Sequence, residues 1–318
     1  MRVFRGFSII LAAVILFASC GGKVKTPTLR SFPPPPQVPS VVTDPQEIAG
    51  YVATHFWDAF LSGTYPCDSS LVNGVPADDV ESAVGRFVTI LETVCERPVA
   101  IKAMDAFFQK VNDFQAKNPS SNVYEYFLRM VGKYLYDPNS PVRNEDLYLP
   151  FVKGLSESPF VPEGMRQAYA HDASMCSLNQ AGTVATDFIF TDLGGRRHSL
   201  HSVQADHTLL FFSNPGCPAC KDIIDGLTGD PRITGKISSG KLAVVNVYID
   251  SDVDEWREYA VNYPSSWLSG YDQSYTIRTD VTYNVRAIPS LYLLDAEKRV
   301  IMKDAPQDKV LSFISNID

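Results

Sequence analysis

The sequence predicts two folded parts, an all-helical domain followed by an α/β domain, behind an N-terminal leader and linker. Residues 44–177 carry apolar residues at helical spacing, whereas residues 183–318 alternate apolar, strand-like runs with helical segments. Strands that alternate with helices are typical of a sheet covered by helices on both faces. A length of 318 residues and an apolar fraction of 45% suit two cores of ordinary size.

The first twenty residues are predicted to be a lipoprotein signal peptide rather than part of the fold. Arg2 and Arg5 precede an apolar stretch too short to span a bilayer, and the small residues Ala18 and Ser19 precede Cys20. This run resembles a lipobox, which implies cleavage before Cys20 and lipidation of that cysteine. The alternatives are an ordinary secretory signal with an incidental cysteine and an uncleaved anchor.

Residues 21–43 are predicted to form a proline-rich tether. The run Pro33–Pro36, followed by Pro39, favours extended polyproline II over packed structure. Gly21 follows Cys20, and in the Gram-negative sorting rule that this motif resembles, a residue other than Asp there implies the outer membrane. The expected location is therefore the bacterial cell envelope, lipid-anchored in the outer membrane and facing the periplasm.

The helical part begins at Asp44, which precedes a proline and an acidic residue in the order typical of a helix N-cap. Five further helical segments follow it, up to residue 177. We find no group of catalytic residues in this part. His55 lies on the apolar stripe of the first helix, which favours a position in the core over a ligand role.

The motif that carries chemistry is Cys217-Pro218-Ala219-Cys220, which directly follows the apolar run Thr208–Ser213 and opens a helical segment. A thiolate at a helix N-terminus is stabilised by the helix dipole and by free backbone N–H groups. A second cysteine one turn further on can attack a mixed disulfide formed by the first. The sequence therefore indicates Cys217 as the nucleophile and Cys220 as the resolving cysteine of a redox-active pair.

Three other interpretations of this motif stay open. The pair could be half of a zinc site, for which His198 and His201 are the available further ligands. It could also be an inert structural disulfide. A peroxidase of the peroxiredoxin type is disfavoured, because that family's pattern places Thr three residues before the reactive cysteine, where this chain has Asn214.

Residues 183–318 resemble a thioredoxin-like domain of the TlpA-like envelope branch, with a central mixed sheet. Besides the CxxC motif, the segment Tyr283–Leu294 carries the resemblance, because it is similar to the thioredoxin segment that contains the cis-proline. The resemblance implies that Pro289 is cis and faces the active disulfide, and that the backbone of Ile288 pairs with an extended client strand. It implies no cofactor and no metal. Residues 44–176 resemble, more weakly, an uncharacterised helical domain that precedes such modules in envelope lipoproteins.

The chain departs from this family at its acidic positions. Phe211 replaces the buried acid of thioredoxin, and Ile223 replaces the Glu of TlpA-like proteins. A dedicated proton shuttle for Cys220 is therefore not evident. Asp222 and Asp225 are candidates only by proximity, and a solvated helix face is the plainer interpretation of both.

Three cysteines are left over, namely Cys67, Cys95 and Cys176. A Cys67–Cys95 bridge would need the intervening loop to run back along a helix, because bridged Cα atoms approach within about 7 Å. An odd number leaves at least one thiol unpaired in the monomer.

Together these features predict an envelope thiol-disulfide oxidoreductase that works as a reductant or isomerase rather than an oxidant. Pro218-Ala219 lacks the histidine of strongly oxidising relatives, and Ile288 before the proline resembles the reducing branch. The expected partners are disulfide-containing envelope proteins and, for a reductive role, an inner-membrane thiol donor. A net charge of -8 without a basic stripe disfavours nucleic acid. The alternative is a tethered binding lipoprotein whose helical domain recognises a partner while the thioredoxin fold is a scaffold.

Overall fold

The computed structural model describes residues 29–317. The predicted signal peptide 1–20, the lipidation at Cys20 and residues 21–28 of the predicted tether lie outside the described residues. Within residues 29–317, no helix combines the length and the apolar character that crossing a membrane requires.

The N-terminal domain is helical and contains one short hairpin that we did not expect from the sequence. Strand β1 (Leu71–Val72) pairs with β2 (Val75–Pro76), and a π-helical turn, Gly132–Tyr136, follows the fifth helix. The helices are α1 (Pro45–His55), α2 (Asp58–Leu61), α3 (Ala77–Thr93), α4 (Arg97–Lys117), α5 (Val123–Val131), α6 (Glu145–Glu157) and α7 (Glu163–Cys176).

The hairpin turn is made by Asn73 and Gly74, which have φ values of 48° and 79°. Two consecutive residues with positive φ are typical of the two-residue turn of a β-hairpin. Asparagine and glycine adopt this conformation most readily. The buried Asn73 amide also donates to the carbonyl oxygens of Phe60 at 2.8 Å and Gly63 at 3.0 Å. The turn is therefore tied to the end of α2.

The core of this domain is aromatic and centres on the buried Trp57. The ring of Trp57 lies 5.2 Å from Phe107 and 4.7 Å from Phe127, centroid to centroid. Asp44 caps α1 as expected, since its carboxylate accepts from the N–H groups of the second and third helical residues at 2.9 Å. The expected core position of His55 is wrong. Its side chain is 38% exposed and pairs with Asp58 at 2.6 Å.

The start of the described chain packs on this domain. The ring of Phe32 lies between 5.6 and 6.0 Å from the rings of Phe56, Trp57 and Phe60. The backbone N–H of Arg30 donates to a hairpin carbonyl at 2.8 Å. This part of the predicted tether is therefore docked on α1 and α2 rather than free.

The C-terminal domain is a mixed seven-stranded sheet between helices. The strand order within residues 29–317 is β4-β3-β7-β6-β5-β8-β9, with β5, β6 and β7 parallel and the other pairs antiparallel. The strands are β3 (Ile189–Asp192), β4 (Arg197–Ser199), β5 (His207–Phe212), β6 (Leu242–Tyr248), β7 (Leu268–Tyr271), β8 (Ser290–Leu294) and β9 (Val300–Met302). The helices are α8 (Pro218–Gly229), α9 (Pro231–Ser238), α10 (Val253–Ala260), α11 (Thr276–Thr279) and α12 (Gln307–Asn316), and a 3-10 turn spans Leu200–Ser202.

Strand β5 lies inside the sheet, with β6 on one side and β8 on the other. Its side chains alternate between two apolar clusters. Leu210 and Phe212 pack on one face, and Leu209 and Phe211 pack on the other. A strand buried on both faces reads as a continuous apolar run, which explains the pattern seen in the sequence.

Candidate active site

The CxxC motif lies between strand β5 and helix α8, at the carboxyl end of β5. Gly216 has a φ of 66°, a left-handed conformation that costs a residue with a Cβ more than it costs glycine. Cys217 occupies the N-cap of α8 with extended backbone, and Pro218 takes the first helical position, where no N–H is needed. The local sequence Gly-Cys-Pro therefore starts the helix directly after the first cysteine.

Cys217 has the surroundings of a nucleophile. The backbone N–H of Cys220 donates to the Sγ of Cys217 at 3.2 Å. This N–H is one of the free donors at the start of a helix, and such a donor stabilises a thiolate. Cys217 is half-buried, so a disulfide from solvent can approach its sulfur.

Cys220 is the opposite case, because it is only 2% exposed and packs against Phe211, Ile223 and other apolar residues below α8. Burial, and after it the hydrogen bond with the Cys217 sulfur, raise the pKa of Cys220 to about 12. Both cysteines are free thiols in the structure. Cys220 must therefore lose a proton before it can act as a nucleophile.

The Ile288–Pro289 peptide bond is cis. Strand β8 begins at Ser290, which is paired with Phe212, the last residue of β5. Antiparallel pairing therefore places Pro289 at the end of the sheet where the CxxC loop begins. Ile288 and Cys217 are both half-buried against the same apolar cluster. The predicted nucleophile and the predicted client-binding residues are thus on one side of the domain.

A neutral polar group that we did not identify from the sequence lies close to Cys220. The hydroxyl of Ser213 donates to Asn246 Oδ1 at 2.5 Å and lies 3.2 Å from the hydroxyl of Tyr263. All three residues are buried. Burial raises the pKa of Tyr263, and the nearby Cys220 acts in the same direction. The signal for this group was Asn246, an amide inside an otherwise apolar strand.

The candidate proton donors Asp222 and Asp225 lie on the exposed surface of α8, and Asp225 pairs with Lys221. Phe211, at the position of the thioredoxin acid, is fully buried in the apolar cluster that also holds Cys220. The two aspartates therefore form a solvated helix face, while the surroundings of Cys220 are apolar or neutral and polar.

The two histidines considered as zinc ligands have other partners. His198 Nε2 lies 2.9 Å from Asp192 Oδ2, and His201 Nε2 lies 2.7 Å from the carbonyl oxygen of Ala185. Within residues 29–317, no three residues of the metal-binding types lie close enough together to hold an ion.

The remaining cysteines of the described chain are also free thiols, so the Cys67–Cys95 bridge is not formed. The Sγ of Cys67 lies 3.9 Å from the carbonyl oxygen of Ser120. Cys95 lines a cavity between the two domains together with Arg143. Cys176 is fully buried in the core of the helical domain.

Comparison with known proteins covers both domains. The sequence model of the family described as "Domain of unknown function (DUF5106)" matches residues 19–179. This chain is similar to a thioredoxin-like protein from Bacteroides caccae ATCC 43185, whose crystal structure superposes with a TM-score of 0.75. The two sequences are 32% identical, and the alignment covers 88% of this chain and 97% of the Bacteroides caccae chain. No curated protein matches the sequence.

Two shorter solved structures cover less of the chain. The C-terminal domain of an uncharacterized protein from Bacteroides fragilis NCTC 9343 is 40% identical over 43% of this chain and 99% of its own, with a TM-score of 0.42. A domain of a possible thiol-disulfide isomerase from Cytophaga hutchinsonii ATCC 33406 is 26% identical over 43% of this chain and 92% of its own, with a TM-score of 0.37.

The mixed sheet and the full-length similarity define a thioredoxin-like protein that carries a helical domain at its N-terminus. The chain belongs to the DUF5106 family, whose model covers that helical domain.

Proposed function

We propose that this protein is a thiol-disulfide oxidoreductase that exchanges disulfides with protein clients as a reductant or isomerase. The asymmetry of the CxxC pair carries the proposal. Cys217 is half-buried and accepts a hydrogen bond at the helix N-terminus, whereas Cys220 is buried one turn behind it with a raised pKa. One sulfur is thus suited to attack a client and the other to release it.

The proposed reaction transfers two electrons from the protein to the client. The Cys217 thiolate attacks one sulfur of a client disulfide, forms a mixed disulfide and displaces the second client sulfur as a thiolate. Cys220 then loses its proton and attacks the Cys217 sulfur. The Cys217–Cys220 disulfide forms, and the first client sulfur leaves as a thiolate. A thiol donor must reduce the pair again before the next cycle.

Client binding is assigned to Ile288 and Pro289, which precede β8 at the end of the sheet where the CxxC loop begins. An extended client segment would pair with backbone groups of the loop that precedes β8, through main-chain hydrogen bonds that accept many sequences. Pro218 and Ala219 between the cysteines offer no cationic side chain to hold a thiolate. This supports a reductive or isomerising role over an oxidising one.

The proposed location follows from the leader sequence. Lipidation at Cys20 would attach the protein to the outer membrane on its periplasmic side. Its clients would then be envelope proteins with disulfides, and its electrons would come from a thiol donor in the inner membrane.

Trapping of the mixed disulfide tests the assignment. In cells, Cys220→Ser is expected to accumulate mixed disulfides with envelope proteins, because the resolving step is lost. Cys217→Ser is expected to trap none, and Cys95→Ser serves as a matched control outside the motif. Non-reducing gels followed by mass spectrometry provide the readout. Equal trapping by the two motif variants, or by neither, contradicts the roles given to Cys217 and Cys220.

The reduction potential separates exchange from the binding alternative, in which the thioredoxin fold is only a scaffold. Exchange-active relatives lie between roughly -270 and -120 mV, whereas structural disulfides lie below about -300 mV. Equilibration of the purified full chain with glutathione measures the value for Cys217–Cys220. A value in the structural range would reject the enzymatic proposal.

A further inference from the structure

A buried cluster of charges joins the two domains beside the loop that precedes β8. At its centre is Glu145, the first residue of α6 in the helical domain. Its Oε1 accepts from Arg286 Nε at 2.8 Å and from Asn284 Nδ2 at 2.8 Å, and its Oε2 lies 2.8 Å from Lys303 Nζ. With Asp304, which pairs with Arg286, the residues Glu145, Arg286 and Lys303 form the interdomain charge cluster.

The interdomain charge cluster is withdrawn from solvent. The side chain of Glu145 is 1% exposed and that of Arg286 is 12% exposed. Burial raises the pKa of Asp304, and the positive charges of Arg143 and Arg286 oppose that rise. A buried charge is tolerated only with its partners in place, so the removal of one partner disturbs the others. The cluster therefore has one defined geometry, unlike a set of exposed ion pairs.

The cluster also holds the client-binding loop, residues 284–290, at its far end. Asp304 Oδ2 lies 2.9 Å from Arg286 Nη2, and Asp304 Oδ1 accepts from the hydroxyl of Ser290 at 2.7 Å. Ser290 directly follows Pro289. The loop on which the client would lie is thus held before Pro289 through Arg286 and after Pro289 through Ser290, and both residues contact Asp304.

We propose that Glu145 is a positioning residue for client binding, through which the helical domain holds the loop 284–290 in the conformation that a client requires. This inference rests on the proposed function. If Glu145 served only to dock the two domains, the loss of another ion pair between them would slow client reduction equally. Glu92 in α3 and Lys309 in α12 form such a pair at 2.5 Å, and Lys309 lies outside the loop.

Two variants loosen the loop in different ways. Glu145→Gln keeps the size of the side chain and an oxygen acceptor but removes the charge. Arg286→Met removes the charged link between the loop and Glu145 and leaves only the hydrogen bond from Asn284 to Glu145. It leaves Glu145 beside Lys303 at 2.8 Å and Arg143 beside Asp304 at 3.7 Å, two balanced pairs, so the fold should be retained. If Glu145→Gln fails to fold, Arg286→Met decides the question.

Three properties are measured on the reduced full chain: kcat/KM for reduction of insulin disulfides, the rate of Cys217 alkylation by iodoacetamide, and the reduction potential against glutathione. Both variants should slow insulin reduction by about ten- to hundredfold, mainly through KM, because misplacement of a binding group lowers the fraction of productive encounters. Alkylation and potential should match the wild type, since Cys217 itself is unchanged. Lys309→Gln, which breaks the pair with Glu92, should match it in all three.

The inference is overturned if the folded variants reduce insulin at the wild-type rate. It is also overturned if alkylation and potential change in parallel with insulin reduction, or if Lys309→Gln slows insulin reduction equally, because each result indicates general support of the fold. A wild-type protein that fails to reduce insulin would instead reject the proposed function, and this is seen without any variant.

Discussion

Cys217 and Cys176 lie at opposite ends of helices, and their surroundings differ accordingly. Cys217 is the N-cap of α8, is half-buried and accepts a hydrogen bond from a free backbone N–H. Cys176 is the last residue of α7, is fully buried, and its carbonyl oxygen accepts from Lys303 Nζ at 2.8 Å. The partial positive charge at a helix start favours a thiolate, and the partial negative charge at a helix end disfavours it.

The environment of the Cys176 sulfur also disfavours its thiolate. Burial raises the pKa of the Cys176 thiol, and the negative charge of Glu145 adds to the rise. Its sulfur therefore stays protonated and behaves as a small apolar group of the core. Helix polarity and solvent access, rather than the presence of a thiol, therefore distinguish Cys217, which we propose carries exchange, from Cys176.

The largest expected difference between these cysteines is in turnover. Cys217→Ser should lower insulin reduction by on the order of a thousandfold or more, since the nucleophile is lost. Cys176→Ala should keep a rate close to the wild type, because its sulfur takes no part in the reaction. A comparable loss in both variants would break the comparison.

The second expected difference between these cysteines is their rate of alkylation. In the reduced native protein at pH 8, iodoacetamide should label Cys217 at least about a hundredfold faster than Cys220 or Cys176. With a pKa of about 12, only about one Cys220 in ten thousand is ionised at that pH. Peptide mass spectrometry reads each cysteine separately, and unfolding in urea should make all of them reactive. Fast labelling of Cys176 in the native state would contradict the burial described above.

The smallest effect is the pH dependence of stability. An unfolded cysteine ionises near pH 8.5, whereas the raised pKa of Cys176 keeps the folded thiol neutral. The stability it contributes is therefore fully present below that pH and is lost as the pH rises toward the folded-state value. Relative to Cys176→Ala, the wild type should lose about 1 kcal/mol between pH 8.5 and 9.5, measured by urea unfolding under reducing conditions. Between pH 6 and 7.5 the difference should stay constant.

Much of the fold follows from local sequence patterns. The helical spacing expected up to residue 177 is observed as helices α1 to α7, and the apolar run Thr208–Ser213 forms the inner strand β5. These features depend on neighbours along the chain, which periodicity reports directly. The hairpin was missed, although the Asn73-Gly74 pair between short apolar pairs is a local signal for such a turn.

The groups around the site could be predicted only in part. Cys217, Cys220 and Pro289 belong to motifs, and their placement follows from the strands and helices around them. Glu145 reads as an ordinary acidic residue in the first turn of a helix, and its partner Arg286 lies 141 positions away. Contacts at that separation are decided by how the two domains pack, which one sequence does not report.

The docking of Phe32 has a consequence for the distance between the domain and the membrane. Because Phe32 already contacts α1 and α2, the prolines that follow it run between two points on the same domain and add nothing to the spacing. Under the proposed anchoring at Cys20, only residues 21–28 separate lipid from protein, at most about 28 Å when fully extended. The protein would then work close to the leaflet that holds it, on clients that come within a few nanometres of the bilayer.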